Sequence, residues 1–231
     1  MTWPIRLYLA RHGRTPWNEV GRFQGRTDVP LDAVGRAQAA ELAELMRGRV
    51  EAVVASDLSR ASESAQIICD ALGVPLLALD PDLRERGYGV FEGLTSHECQ
   101  QLHREIWAAR QDDRNSEPPG AEASVRVVGR MQRGLSRAVE RLAGRHRSAL
   151  VVGHGSALRM FLEVLSEGPV GSLGNMEYRE VLHDAIDIDH ERLRRDPTER
   201  HVRRPDAVGP QHDLVEGSTV PGFRVTSTAP A

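Results

Sequence analysis

Four short apolar runs punctuate the chain: IRLYLA (residues 5–10), EAVVAS (51–56), PLLAL (75–79) and ALVVG (149–153). Each is a handful of residues long and largely apolar, with Arg6 inside the first run, so each reads as a strand, and EAVVAS reads as a buried one. Between them the spacing changes to a helical one. LDAVGRAQAAELAELMRG (31–48) predicts an alanine- and leucine-rich helix starting near Asp32, and SRASESAQIICDALG (59–73) predicts a helix closed by Gly73. A glycine-rich stretch (84–95) follows the third run, then a helical stretch from about Ser96 to Arg110. The polar QDDRNSEPPG (111–120) interrupts the chain before a long helix over 121–143, and the fourth run leads through a turn into another helix ending near 165.

Strands alternating with helices predict a three-layer α/β/α sandwich with a mainly parallel central sheet. Ligands of such sheets bind outside the carboxyl ends of the strands. His12 and His154, far apart in sequence, each directly follow an apolar run and so fall on one predicted edge. From about residue 183 the chain is first charged and then dotted with Pro205, Pro210, Pro221 and Pro230, with too few apolar residues for a core of its own. The expected organisation is a domain over 1–182 and a tail, arm or lid over 183–231. Packed on a neighbouring surface, that segment would serve as a dimer arm or a lid, with a homodimer as one outcome. Arg192, Arg195 or Arg203 would then approach the site mouth, or lie on a solvated helix.

Charge and composition narrow the chemistry. The formal net charge is −3, which supplies no basic field for nucleic acid. All 30 basic side chains are arginine, so Schiff-base lysine chemistry and a P-loop lysine are excluded. Cys69 and Cys99 match no metal spacing and are too few for a disulfide framework. No run approaches the roughly 18 apolar residues of a membrane span, and the first residues lack the pattern of a cleaved leader, so a cytoplasmic protein without membrane contact is expected. His97, His103, His146, His183, His190, His201 and His212 show no metal-ligand spacing and read as surface groups.

Candidate chemistry concentrates in RHGRTPWN (11–18). A cation beside an imidazole favours the neutral ring, and a neutral ring keeps a lone pair on one nitrogen, so His12 is a candidate nucleophile. Arg11 and Arg14 would serve an anionic substrate, most simply a phosphate. Gly13 would let the backbone approach that anion, and Thr15 and Asn18 would add uncharged donors. Each candidate has a plainer alternative on local sequence alone. A histidine between arginines is commonly a surface group, Arg60 is one arginine opening a helix, and Glu85 in LRERG could pair with Arg84 and Arg86 across a surface loop. His154, between Gly153 and Gly155 after a buried strand, reads as functional even in isolation.

RHGRTPWN followed in order by GRFQGRTDVPLDAVGRAQA, SDLSRASESA, LRERGYGVFEG and VVGHGSALR resembles the histidine phosphatase superfamily, in its phosphoglycerate mutase-like branch, over roughly residues 5–165. The resemblance implies catalysis through a phosphohistidine on His12 without metal or other cofactor. It places the second phosphate-binding arginine on Arg60, the general acid on Glu85 and the second histidine on His154. Glu92, in FEG, also matches a family pattern and reads as structural. One departure is PPGAEAS (118–124), where many relatives carry GGES: Glu122 is kept, and Ala123 stands where serine is usual, so one secondary polar interaction is expected to be missing. Residues 98–118 contain Arg104, Arg110 and Arg114 without an obvious paired basic clamp, which favours a phosphatase of a small phosphorylated metabolite over a phosphoglycerate mutase. A non-catalytic phospho-ligand-binding member is the alternative outside enzymes, and a metal hydrolase is more remote.

Overall fold

A computed structural model describes residues 4–183 and 222–227. Its sheet is built from β1 (Ile5–Arg11), β2 (Ala52–Ala55), β3 (Leu76–Leu79), β4 (Ser148–Gly153), β5 (Tyr178–His183) and β6 (Phe223–Ser227), in the order β3-β2-β4-β1-β5-β6. The first four in that order run parallel; at one side β5 is added antiparallel to β1 and β6 antiparallel to β5. The helices are α1 (Pro16–Glu19), α2 (Ala33–Met46), α3 (Ser59–Leu72), α4 (Ser96–Leu102), α5 (Arg104–Asp112), α6 (Ser124–Leu142) and α7 (Gly155–Leu165).

The pleat sends alternate residues of each strand to opposite faces. Leu7, Leu9, Val54, Ala149 and Val151 pack with α6 and α7, whereas Tyr8, Ala10, Val53, Leu150 and Val152 pack with α2 and α3. Two cores therefore sandwich the sheet, which is why β2 and β4 are apolar without alternation, whereas β3, at the sheet edge, is only partly buried and Leu79 is exposed. The helix ends follow their predicted signals. Asp32 caps α2 by accepting from the Gly35 N–H at 2.7 Å, and Gly73 ends α3 in the left-handed conformation at φ 68°.

The differences have local causes. The helix expected from Ser96 to Arg110 breaks at His103, whose backbone leaves the helical region (φ −137°). The long helix starts at Ser124, and its N-cap, Ala123, makes no side-chain cap bond because a methyl group offers no acceptor to the first turn. β5 is a strand that hydropathy does not announce, because only Val181 and His183 in YREVLH are buried. From the expected tail, β6 joins the sheet beside β5, and the buried Phe223 packs on Phe161 and His183. His183 is thereby a buried residue, not the surface group its sequence context suggested. Residues 184–221 and 228–231, with the arginines and histidines expected there, lie outside the described residues. Among the described residues no helix is long and apolar enough to cross a membrane.

Candidate active site

The site forms where β1 and β4 end. These strands are parallel neighbours with Arg11 and Gly153 as register partners, so the residues that follow, His12 and His154, emerge side by side with ring centroids 5.1 Å apart. The His12 N–H continues the ladder to the Gly153 carbonyl at 3.0 Å. The segment before β5 clamps the same strand end: Met176 N–H donates to the Arg11 carbonyl (3.0 Å) and Asn175 Nδ2 to the His12 carbonyl (2.9 Å).

His12 Nδ1 lies 2.7 Å from the Gly13 carbonyl. A carbonyl only accepts, so Nδ1 carries the proton and Nε2 holds the lone pair. Burial, then Arg60 and then Arg11 push the His12 pKa well below its ordinary value. His154 is wholly buried, neither ring nitrogen has a hydrogen-bond partner among the described residues, and burial followed by Arg60 and His12 drives its pKa down too. Both rings are neutral at pH 7.

The two cations beside His12 are Arg11 and Arg60. Arg60 is fully buried and donates to the carbonyls of Thr27 and Gly25, both at 2.9 Å, while Arg11 donates to the Leu173 carbonyl at 2.9 Å. Carbonyl dipoles orient both guanidinium groups without neutralising them, which suits an incoming anion. Arg14, expected to face the substrate, instead pairs with Asp32 at 2.8 Å and Glu19 at 3.5 Å. Gly13 is also explained differently: its N–H donates to Ser64 Oγ (3.0 Å), and a Cβ there would stand 2.4 Å from the Gly35 carbonyl oxygen. The glycine permits loop–helix packing rather than approach to a ligand.

Glu85 reaches the same place from the loop after β3. Its Oε1 accepts from the N–H groups of Arg86 (2.8 Å) and Ala157 (2.9 Å), and its Oε2 from that of Ser156 (3.1 Å), so the start of α7 holds the carboxylate. The plainer alternative, pairing of Glu85 with Arg84 and Arg86, does not occur among the described residues. Arg84 pairs with Asp57 (2.7 Å), and the fully buried Arg86 donates to the carbonyls of Glu122 (2.9 Å), Asn115 (3.1 Å) and Ser116 (2.9 Å). Glu92 takes up the N–H groups of Tyr88 (2.9 Å) and Arg26 (3.2 Å), in keeping with a structural role.

A cavity of about 200 Å³ is lined by Arg11, His12, Asn18, Arg60 and Glu85 among others, while His154 lies beside His12 outside that lining. Asn18 Oδ1 accepts from Thr15 N–H (3.1 Å) and Asn175 Nδ2 (3.3 Å), which leaves its own amide nitrogen for the cavity. Thr15 is not brought to the cavity: it is buried, and its hydroxyl caps α1 in a reciprocal box with Asn18. Sequence reading missed Gln24, Tyr88 and Ser156 as lining residues. The amide in GRFQG was the available signal for Gln24, whose buried Oε1 has no partner among the described residues. Tyr88 donates to or accepts from Ser156 Oγ, and burial pushes its phenol up to about 12. Among the described residues no cluster of three or more His, Cys, Asp or Glu could hold a metal ion.

An α/β sandwich that gathers two neutral histidines, two arginines without carboxylate partners among the described residues and a carboxylate at its strand ends defines a class of anion-binding site. The chain belongs to the histidine phosphatase superfamily (branch 1), whose family model matches residues 7–195. It is 34% identical over 163 residues to phosphoglycerate mutase-like protein 4 of Arabidopsis thaliana, covering 68% of this chain and 69% of that protein. It is 35% identical over 167 residues to a probable phosphoglycerate mutase of Yersinia pestis, covering 70% and 74% of the two chains. Among solved structures it is similar to a mycobacterial glucosyl-3-phosphoglycerate phosphatase in complex with VO3, with a TM-score of 0.68 at 28% identity, covering 77% of this chain and 92% of that one.

Proposed function

We propose that this chain is a metal-independent phosphomonoesterase that hydrolyses a small phosphorylated metabolite through a phosphohistidine on His12. The observation that carries the reading is the His12 ring: Nδ1 is locked to the Gly13 carbonyl, so the Nε2 lone pair is the free nucleophile, between two guanidinium groups and beside a neutral histidine. Arg11, Arg60, His154 and the Asn18 amide would bind the phosphoryl oxygens, where charge develops during transfer.

In the first step Nε2 forms a bond to phosphorus, the bond to the leaving oxygen breaks, and protonated Glu85 gives its proton to that oxygen. In the second, Glu85 as carboxylate takes a proton from water, the water oxygen bonds to phosphorus, and the Nε2–P bond returns its electron pair to the imidazole. The charge of the cavity suits a phosphate monoester, and both a phosphatase and mutase-like proteins occur among the similar chains. The test is phosphate release from a panel of sugar phosphates, nucleotides and phosphoglycerates, repeated with chelator. Release that survives the chelator is expected. Isomerisation of a phosphoglycerate without release would indicate a mutase, and tight phosphate binding without turnover a binding protein.

A further inference from the structure

Glu122, which stands just before α6, touches neither histidine and does not line the cavity. It is nevertheless the meeting point of the two loops on which the site depends. Arg130 of α6, with a side chain only 6% exposed, grips both Glu122 oxygens, Nε to Oε1 at 2.8 Å and Nη2 to Oε2 at 2.9 Å. Its remaining donors reach the carbonyls of Asp82 (2.8 Å), Arg84 and Glu85 (3.0 Å). All five N–H groups of Arg130 are thus engaged, three of them on the backbone that delivers Glu85. From the other side Arg26 Nη2 donates to Glu122 Oε2 at 3.0 Å. Arg26 lies between Gly25 and Thr27, the residues whose carbonyls hold the Arg60 guanidinium.

We propose that Glu122 is a positioning residue that sets two parts of the site at once, Glu85 through Arg130 and Arg60 through Arg26. The inference rests on the proposed phosphoryl-transfer reading. One carboxylate can do this because it alone offers four lone-pair sites to two forked cations. Burial raises the Glu122 pKa, but Arg130 and Arg26 outweigh it and hold the group at about 2, so the link is intact throughout neutral and mildly acidic pH. An amide at this position would present an NH2 group to the donors of Arg130, Arg26 and Gly87, and would leave Arg130 a buried cation without counter-charge.

The experiment compares wild type, Glu122→Gln, Glu122→Asp and Arg26→Gln by circular dichroism, by turnover of phenyl phosphate and p-nitrophenyl phosphate, and by titration with inorganic phosphate. For folded Glu122→Gln, the phenyl phosphate kcat should fall at least tenfold further than the p-nitrophenyl phosphate kcat, because displaced Glu85 matters most for the poorer leaving group. Its affinity for inorganic phosphate should also weaken about tenfold, and Glu122→Asp should recover most of both losses. Arg26→Gln severs only the second arm and alters a partly exposed side chain, so it tests the inference even if Glu122→Gln does not fold. It should weaken phosphate binding several-fold and leave the ratio of the two substrates unchanged. Equal losses on both substrates with unchanged phosphate affinity, or an Arg26→Gln protein that binds phosphate like wild type, would overturn the inference. Wild-type protein that binds phosphate but turns over neither substrate would contradict the reaction proposed above, while the phosphate titrations would still decide the Arg26 arm.

Discussion

His12 and His154 share one depth in the structure, 5.1 Å apart between ring centroids, because β1 and β4 are parallel neighbours in register to their last residues. Both rings are buried, and both sit near Arg60 and Arg11, so each is held neutral in the folded chain at neutral pH. That pairing has a thermodynamic consequence.

Stability should fall as the pH drops below about 6.5. The folded-state pKa of each histidine lies below its unfolded value, so the unfolded chain binds more protons in the window beneath 6.5. The stabilisation is complete above that pH and is lost as the pH falls, with a slope of up to about 1.4 kcal/mol per pH unit for each ring. Urea denaturation at pH 7.5, 6.5 and 5.5 measures it, and His154→Asn should lessen the slope. Glu122 adds a second loss at lower pH, between its unfolded value of 4.5 and its folded value of about 2.

Glu85→Gln should lower kcat by about 10² to 10⁴ for alkyl or phenyl phosphates and by less for p-nitrophenyl phosphate, whose leaving oxygen needs little protonation. The amide should retain the fold. A series of leaving groups of graded pKa checks this: the mutant should show a steeper dependence of rate on leaving-group pKa than wild type, and parallel lines would assign Glu85 to water activation alone.

Ala123→Ser should stabilise the protein by about 1 kcal/mol. The N-cap backbone is already extended (φ −62°, ψ 139°), so serine can accept from the first turn of α6 without rearrangement. The midpoint of chemical denaturation should rise with kcat and KM unchanged.

Much of this architecture is legible in the sequence, for identifiable reasons. ALVVG and EAVVA read as strands because helices cover both faces of the parallel sheet, and Asp32 and Gly73 mark helix ends by their own chemistry. YREVLH does not read as a strand, since its charged residues stay partly exposed beside the sheet, and β6 pairs with it from about forty residues further along. In the site, adjacency in sequence misleads about direction. Arg14, two residues from His12, turns away to Asp32, whereas Arg60 arrives from another helix and lies fully buried beside the ring. Arg86, which local sequence offers as a plainer surface partner for Glu85, is spent on three backbone carbonyls, a role that needs the folded loops to be seen. The order of motifs points to His12, Arg60, Glu85 and His154, which the fold gathers at one sheet edge, but it carries no sign of the network that orients them.

A covalent bond between His12 Nε2 and phosphorus is detected by rapid-quench trapping with a radiolabelled phosphomonoester. Wild-type protein quenched in alkali should carry label that is stable to base, lost in mild acid and mapped to the peptide containing His12. A folded His12→Ala protein should carry none and should not turn over. Turnover retained in that variant, or steady-state hydrolysis by wild type with no trapped label at any quench time, would contradict it.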